Sequence, residues 1–178
     1  GMIMEQLTIG QAQKMTSPAP FALLSSVDET GRTNLMAVSW WTYLSNHPVK
    51  IGACLSNKGF SGGNIRAAGE FALNLVDETM KQKALECGRC SGRDTDKAAK
   101  LGIGLVDAKA IAPKVVEASK VVFECRLSDT VAVGDHTFFI ADVVEIYGDE
   151  SKKQLFAING YGKLDTVETV SYTHLRAH

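Results

Sequence analysis

The sequence predicts a mainly β protein, an antiparallel barrel with a few short helices, on three observations. About six or seven strand-like runs are spread along the chain, each bounded by Gly, Pro, Asn or Asp. Most are joined by turn-sized connections, as in hairpins. Strands do not alternate with helices in the way a parallel sheet demands. The 178 residues are 45% hydrophobic and 22% charged, ordinary for one globular domain. That domain is expected over residues 1–165. Residues 166–178 are expected to be a tail, in part foreign to the fold, and Gly1 ahead of Met2 is expected to be an addition.

Phe21 to Val27 is an apolar run closed by Asp28-Glu29-Thr30-Gly31, hence a strand entering a hairpin. The return strand is expected from Asn34 to Thr42. Its faces, Leu35-Ala37-Ser39-Trp41 and Met36-Val38-Trp40-Thr42, are both largely apolar. A solvated strand shows one polar face, so one face should meet the core and the other a partner subunit or a flat ligand. Val49 to Leu55 is a third strand, a short helix ends near Gly69, and Phe71 to Val76 is a fourth strand. Helices are expected at about Glu78 to Cys87, stopped by Gly88, and about Thr95 to Leu101, capped by Asp94 and stopped by Gly102. Pro113 marks a loop. Lys120 to Val133 alternates, with Val121, Phe123, Cys125 and Leu127 opposite Glu124, Arg126 and Ser128. Gly134-Asp135 turns it into His136 to Tyr147, and Leu155 to Asn159 closes the set.

Lys and Arg number 19 against 20 Asp and Glu. With no basic stripe, nothing points to nucleic acid or a membrane surface, and no apolar stretch reaches the ~18–20 residues that span a bilayer. The first residues lack the pattern of a signal peptide. Four cysteines without an export signal read as reduced thiols in a cytoplasm. Two of the four histidines, His174 and His178, fall in the tail.

The segment Ser56-Asn57-Lys58-Gly59-Phe60-Ser61-Gly62-Gly63-Asn64 carries the clearest chemistry. Its glycines let successive N–H groups converge, and Ser56, Asn57, Lys58 and Ser61 add donors. A helix starts just beyond, so the segment suits a phosphate; the plain alternative is a polar connection. It lacks the Gly-Lys-Ser/Thr ending of a P-loop. Trp40-Trp41 fits either core packing or stacking on a planar ring. Cys87-Gly88-Arg89-Cys90 has the spacing of a redox or metal pair, but it closes a helix rather than opening one and has no second pair, so ordinary thiols and no metal site are expected. His136 sits at a hairpin mouth. No hydrolase motif is present.

In order, Asn34-Leu35-Met36-Ala37-Val38-Ser39-Trp40, the Ser56–Ser61 loop, Gly69-Glu70-Phe71-Ala72-Leu73-Asn74-Leu75, Ser91-Gly92-Arg93-Asp94-Thr95-Asp96-Lys97, Gly134-Asp135-His136 and Asn159-Gly160-Tyr161 resemble the flavin reductase-like family, close to the flavoredoxins. The resemblance runs from about Pro18 to Leu164 and implies a Greek-key split β-barrel of the FMN-binding type, a homodimer with one FMN per subunit near the interface. It implies that Asn34, Ala37, Val38, Ser39, Trp40 and Thr42 line the ring and ribityl chain. Ser56, Asn57, Lys58 and Ser61 would hold the phosphate, Lys97 and His136 would reach the flavin as the catalytic residues, and Tyr161 would close the pocket. Two departures stand out: relatives often carry Arg in the phosphate loop where this chain has Asn57-Lys58, and Cys90 is extra.

The expected function is FMN-dependent electron transfer, as an NADH- or NADPH-dependent flavin reductase. Reduction puts negative charge near N1 and the C2 carbonyl, where Lys97 or His136 would stabilise it. Without a Rossmann fingerprint, nicotinamide would stack on the exposed flavin face. The rivals are a flavin carrier fed by a redox protein partner, and a thiol-redox or binding module using Cys87 and Cys90.

Overall fold

A computed structural model describes residues 3–93 and 96–167. Asp94, Thr95 and the tail histidines lie outside them. Helix α1 (Ile9–Met15) is followed by strands β1 (Ala22–Val27), β2 (Thr33–Val38), β3 (Trp41–Asn46) and β4 (Val49–Ser56). Helix α2 (Ser61–Ala68) leads into β5 (Glu70–Val76), and a 3₁₀ turn (Glu78–Met80) runs into α3 (Lys81–Cys87). Helix α4 (Lys97–Leu101) precedes the small pair β6 (Leu105–Val106) and β7 (Val115–Val116). The long hairpin β8 (Ser119–Val133) and β9 (His136–Gly148) and the pair β10 (Phe156–Ala157) and β11 (Leu164–Asp165) complete the order.

Seven strands form one antiparallel sheet in the order β2-β1-β5-β8-β9-β4-β3. Its edge strands, β2 and β3, are neighbours in sequence, separated only by Ser39 and Trp40. Seven flat strands would put the edges roughly 29 Å apart at ~4.8 Å per strand, whereas the link from Val38 to Trp41 reaches at most about 11 Å. The sheet therefore curls until its edges nearly meet at a slit crossed by Ser39-Trp40, which is the expected split barrel. Strand β8 shifts register against β9 at Glu124/Cys125 and Leu127/Asp129, bulges of the kind that let a long strand bend.

This geometry corrects the single strand expected from Asn34 to Thr42: the chain changes edges at Ser39-Trp40, so no ladder runs through it. It also explains the two apolar faces. Leu24, Val38, Trp41, Phe71, Leu73 and Phe139 point into the barrel. Leu23 and Leu35 point outward, against Met80, Ala84, Cys87 and Ala98 of the 3₁₀ turn, α3 and α4. The cover expected from a partner or ligand is, for Leu35, the chain's own helices. Fully burying each large apolar side chain contributes ~1.5–3 kcal/mol.

Helix α4 begins at Lys97 rather than Thr95 and is capped by Asp96, whose carboxylate accepts from Ala99 N at 3.2 Å. The last expected strand shrinks to Phe156–Ala157. Helix α1 was not foreseen, although Thr8 and Gln11 form a reciprocal capping box. The alternation in β8 misplaces Glu124: its side chain is fully buried, not solvated. Among the described residues no helix is long and apolar enough to cross a membrane, and no group of three or more His, Cys, Asp or Glu is placed to hold a metal ion.

Candidate functional site

Two clefts meet along the slit. The first, about 370 Å³, gathers Asn34, Lys58, Ser61, Gly92, Lys97 and Tyr161. Lys58 and Gly59 line it from a tight turn after β4, in which Gly59 N donates to Ser56 O at 3.1 Å and Lys58 N to Ser56 Oγ at 3.3 Å. Helix α2 then starts with Phe60 as its cap residue, without a side-chain cap. The first N–H groups of a helix have no intrahelical acceptor, so an anion would complete this end and be favoured by the helix dipole. Ser61, the first helical residue, is buried, and its hydroxyl accepts from Asn34 Nδ2 at 3.0 Å. Gly92 packs so closely on Asn34 that a Cβ there would overlap the carboxamide.

Lys97 supplies the strongest electrostatic feature. It is only 5% exposed, and among the described residues no carboxylate lies within ion-pair distance of it. Burying an unpaired ammonium is costly, and an anion in the cleft it lines would remove that cost. Lys58 lies at the same cleft but is exposed.

The second cleft, about 560 Å³, shares Met36, Ala37 and Tyr161 with the first and continues along Val38, Ser39, Trp40 and Cys54 to His136. Its walls are mainly apolar, with α1 residues Gly10, Gln13 and Lys14 on one side. Tyr161 braces the slit: its hydroxyl accepts from Ser39 N at 2.8 Å, and its ring lies edge-on to Phe21 at 6.3 Å. Ser39 Oγ is buried without a partner, a polar atom available to a bound group. His136 stacks on Trp40 at 4.7 Å, and its Nδ1 lies 2.6 Å from the Asp135 carboxylate. The hydrogen bond to His136 holds the Asp135 carboxyl below its usual range. The ring is thus held on two sides, with Nε2 left for a ligand.

The expected site residues therefore sort into two groups. Asn34, Lys58, Ser61 and Lys97 converge at the polar cleft, while Val38, Ser39, Trp40, Ser56 and His136 line the apolar one, and Ala37 and Tyr161 face both. Ser56, expected at the phosphate, lines the apolar cleft, and Lys97, expected at the flavin ring, lies in the polar one; two further residues line neither. Thr42 lines neither cleft, because β3 carries it onto the outer edge, where its hydroxyl donates to Tyr43 O at 3.2 Å. Asn57 also lines neither: its side-chain carbonyl accepts from Thr137 Oγ1 at 2.7 Å and its N–H donates to Asp135 O, tying the turn to the β8–β9 hairpin. The two tryptophans divide the work, Trp41 in the barrel core and Trp40 at the cleft. Cys87 is buried, and burial pushes its thiol up to about 11, which makes it a poor nucleophile. Cys90 lines the polar cleft.

The family profile described as flavin reductase like domain matches residues 15–165. The chain is 28% identical over 140 residues to the NADH:riboflavin 5'-phosphate oxidoreductase of Streptomyces pristinaespiralis, covering 77% of this chain and 76% of that one. Three archaeal relatives are matched over 73%, 54% and 63% of their own lengths. Among solved structures, the flavoredoxin of Desulfovibrio vulgaris superposes with a TM-score of 0.79 at 21% identity, covering 92% of this chain and 94% of that one. A split barrel domain protein from Shewanella frigidimarina gives 0.84 at 17% identity, covering 96% and 98%.

Proposed function

The chain belongs to the flavin reductase-like family, and from that premise we propose that it binds FMN and passes electrons through it, with NADH or NADPH as reductant. The observation that carries this reading is the junction of the clefts: a polar pocket with a buried cation opens directly into an apolar pocket large enough for a flat ring. Ligand sites of ~300–1,000 Å³ with few polar groups are typical of small cofactors. The donor set fits a phosphate, since Lys97, Lys58, Ser61 and the uncapped α2 end have no comparable use with a neutral group. When bound, the flavin supplies the hydride and electron chemistry. Asn34 holds the Ser61 hydroxyl in place, Tyr161 keeps the Ser39 backbone at the slit, and Asp135 with Trp40 orients His136 toward the ring pocket. Lys97 would oppose negative charge developing on the ligand.

Stopped-flow mixing of the flavin-loaded protein with NADH and with NADPH tests the reductase reading. Bleaching of the flavin absorbance within seconds by either nucleotide is expected. A bound flavin that neither nucleotide reduces would make the chain a carrier fed by another protein.

The same reading includes a homodimer. Edge strand β3 leaves Tyr43 and Leu44 exposed next to Trp40, and Val49 is exposed at the start of β4. An apolar edge of this kind is a hazard unless it is covered, and obligate dimers bury upwards of ~2,000 Å². Sedimentation should give twice the 19.2 kDa chain mass; a monomer at micromolar concentration would remove the dimer.

A further inference from the structure

We infer that Cys90 is a thiolation site: an anionic low-molecular-weight disulfide enters the polar cleft, exchanges with the Cys90 sulfur and leaves a mixed disulfide that bars the cleft to a phosphate. The exclusion of FMN rests on the flavin reading above, whereas the exchange itself does not. Cys90 lies in the turn that follows α3 and faces the polar cleft beside Gly88 and Arg89. Its thiol is half-buried and makes a long contact, 3.9 Å, to the Glu86 carbonyl, a weak tether for a sulfur donor. The cations Lys58, Arg89 and Lys97 line the same cleft, and among the described residues no carboxylate does. Lys97 is the decisive one. It is only 5% exposed, and among the described residues its ammonium has no hydrogen-bond or ion-pair partner. Such a charge raises the local concentration of an anion and would pair with a carboxylate on the bound half of the reagent.

The other thiols are placed against this reaction. Cys54 lines the apolar cleft, where burial and the Asp135 carboxylate push its thiol up, and the same carboxylate repels an anionic reagent. Cys125 is fully buried in the barrel core. Cys87 is buried against Leu35, Ala84 and Ala98, and burial pushes its thiol up to about 11. Only a thiolate attacks a disulfide, so Cys87 is a slow resolving group and the adduct on Cys90 persists. In the exchange Cys90 gives its proton to solvent, and its sulfur attacks one sulfur of the reagent. The new S–S bond forms as the old one breaks, and the other half leaves as a thiolate with the electron pair. Cys90 is thereby oxidised and the departing half reduced; an added thiol reverses the step.

The test treats the apoprotein with anionic 5,5'-dithiobis(2-nitrobenzoate) and with neutral 2,2'-dithiodipyridine, reading thiolate release and intact mass. A fast phase releasing a single thiolate per chain is expected, with the adduct on Cys90 by peptide mass and the phase missing in Cys90→Ser. Lys97→Met should slow the anionic reagent at least about tenfold and the neutral one less than about threefold. Millimolar inorganic phosphate should slow the anionic reagent too. The modified protein should bind FMN at least about tenfold more weakly, with recovery on adding dithiothreitol, while FMN binding by Cys90→Ser should be insensitive to the reagent. A fast phase that persists in Cys90→Ser overturns the inference, as does release of two thiolates without an adduct, which would mean that Cys87 closes a disulfide with Cys90. Equal slowing of both reagents by Lys97→Met, or unchanged FMN affinity after modification, overturns it as well. An unmodified protein that binds no FMN, with the Cys90 adduct and its Lys97 and phosphate dependence as expected, would bring down the flavin reading and uphold the thiolation site.

Discussion

Glu124→Leu is expected to lower the melting temperature by about 10 °C or more. The carboxylate is fully buried, accepting from Lys109 N at 2.8 Å, Ala110 N at 2.7 Å and the Tyr147 hydroxyl at 2.5 Å. A buried donor left without its acceptor costs ~1–3 kcal/mol. The three donors here are part-buried, so their loss should total about 3–4 kcal/mol after relaxation, and each kcal/mol shifts the midpoint by ~2–4 °C in a chain of this size. Tyr147→Phe, which removes one of the three bonds, should cost less, and Glu124→Gln should fall between. Burial alone would raise the Glu124 pKa, but the hydrogen bonds to its charged form outweigh it, and the value lies below the ordinary 4.5. A carboxyl depressed in the folded state contributes fully above its unfolded value, and the contribution is lost as pH falls through the folded value. Wild-type stability should therefore drop below about pH 4.5 more steeply than that of Glu124→Leu. A variant melting within about 2 °C of wild type would mean that the loop does not depend on this anchor.

Glu124 also shows where sequence reading stops. Alternation along β8 puts it opposite Phe123 and Cys125, and a polar residue on that face reads as solvated. The cover is the irregular segment between β6 and β7, which has no periodicity to announce it: Ile111 and Val115 pack there with Ala72 and Val122. The long strands were legible because each is a continuous apolar or alternating run ending in Gly, Asn or Asp; Gly134, at φ 56°, is such a stop. The break at Ser39-Trp40 was not. Local residues continue the strand pattern through it, and only the strand order of the whole sheet requires the chain to change edges there.

The site divides the same way. Lys58 and Ser61 were readable as anion donors because they are consecutive with glycines and a helix start. Asn57, in the same run, reads identically but serves Thr137 on β9, a contact 80 residues away. The meeting of Asn34, Lys97, His136 and Tyr161 leaves no local signature, since Ser39 and Tyr161 touch across 122 residues. Those residues entered through a family resemblance, and the curl of the sheet is what brings them to one slit.

FMN is expected to bind at least ~100-fold more tightly than riboflavin, and Lys97→Met should remove most of that preference. Hydrogen bonds to a charged group contribute ~1.5–3 kcal/mol each, so two effective contacts from Lys97, Lys58, Ser61 or the α2 end already amount to a hundredfold. Lys97 should matter most, because a buried charge is neither screened by salt nor satisfied by water. Lys58 is exposed, so Lys58→Ala should narrow the preference less, and its effect should fade near 1 M salt, where screening extends only ~3 Å. The Lys97 effect should persist there. Methionine matches the length of the lysine stem and relieves the cost of the buried ammonium, so this variant should fold at least as stably as wild type in the absence of flavin. Fluorescence titration of the apoproteins with both flavins, at low and high salt, reads all four quantities. Equal affinity of the wild-type protein for FMN and riboflavin would mean that the polar cleft receives no phosphate. A Lys97→Met protein that keeps the full preference would shift the phosphate contact to Ser61 and the helix end.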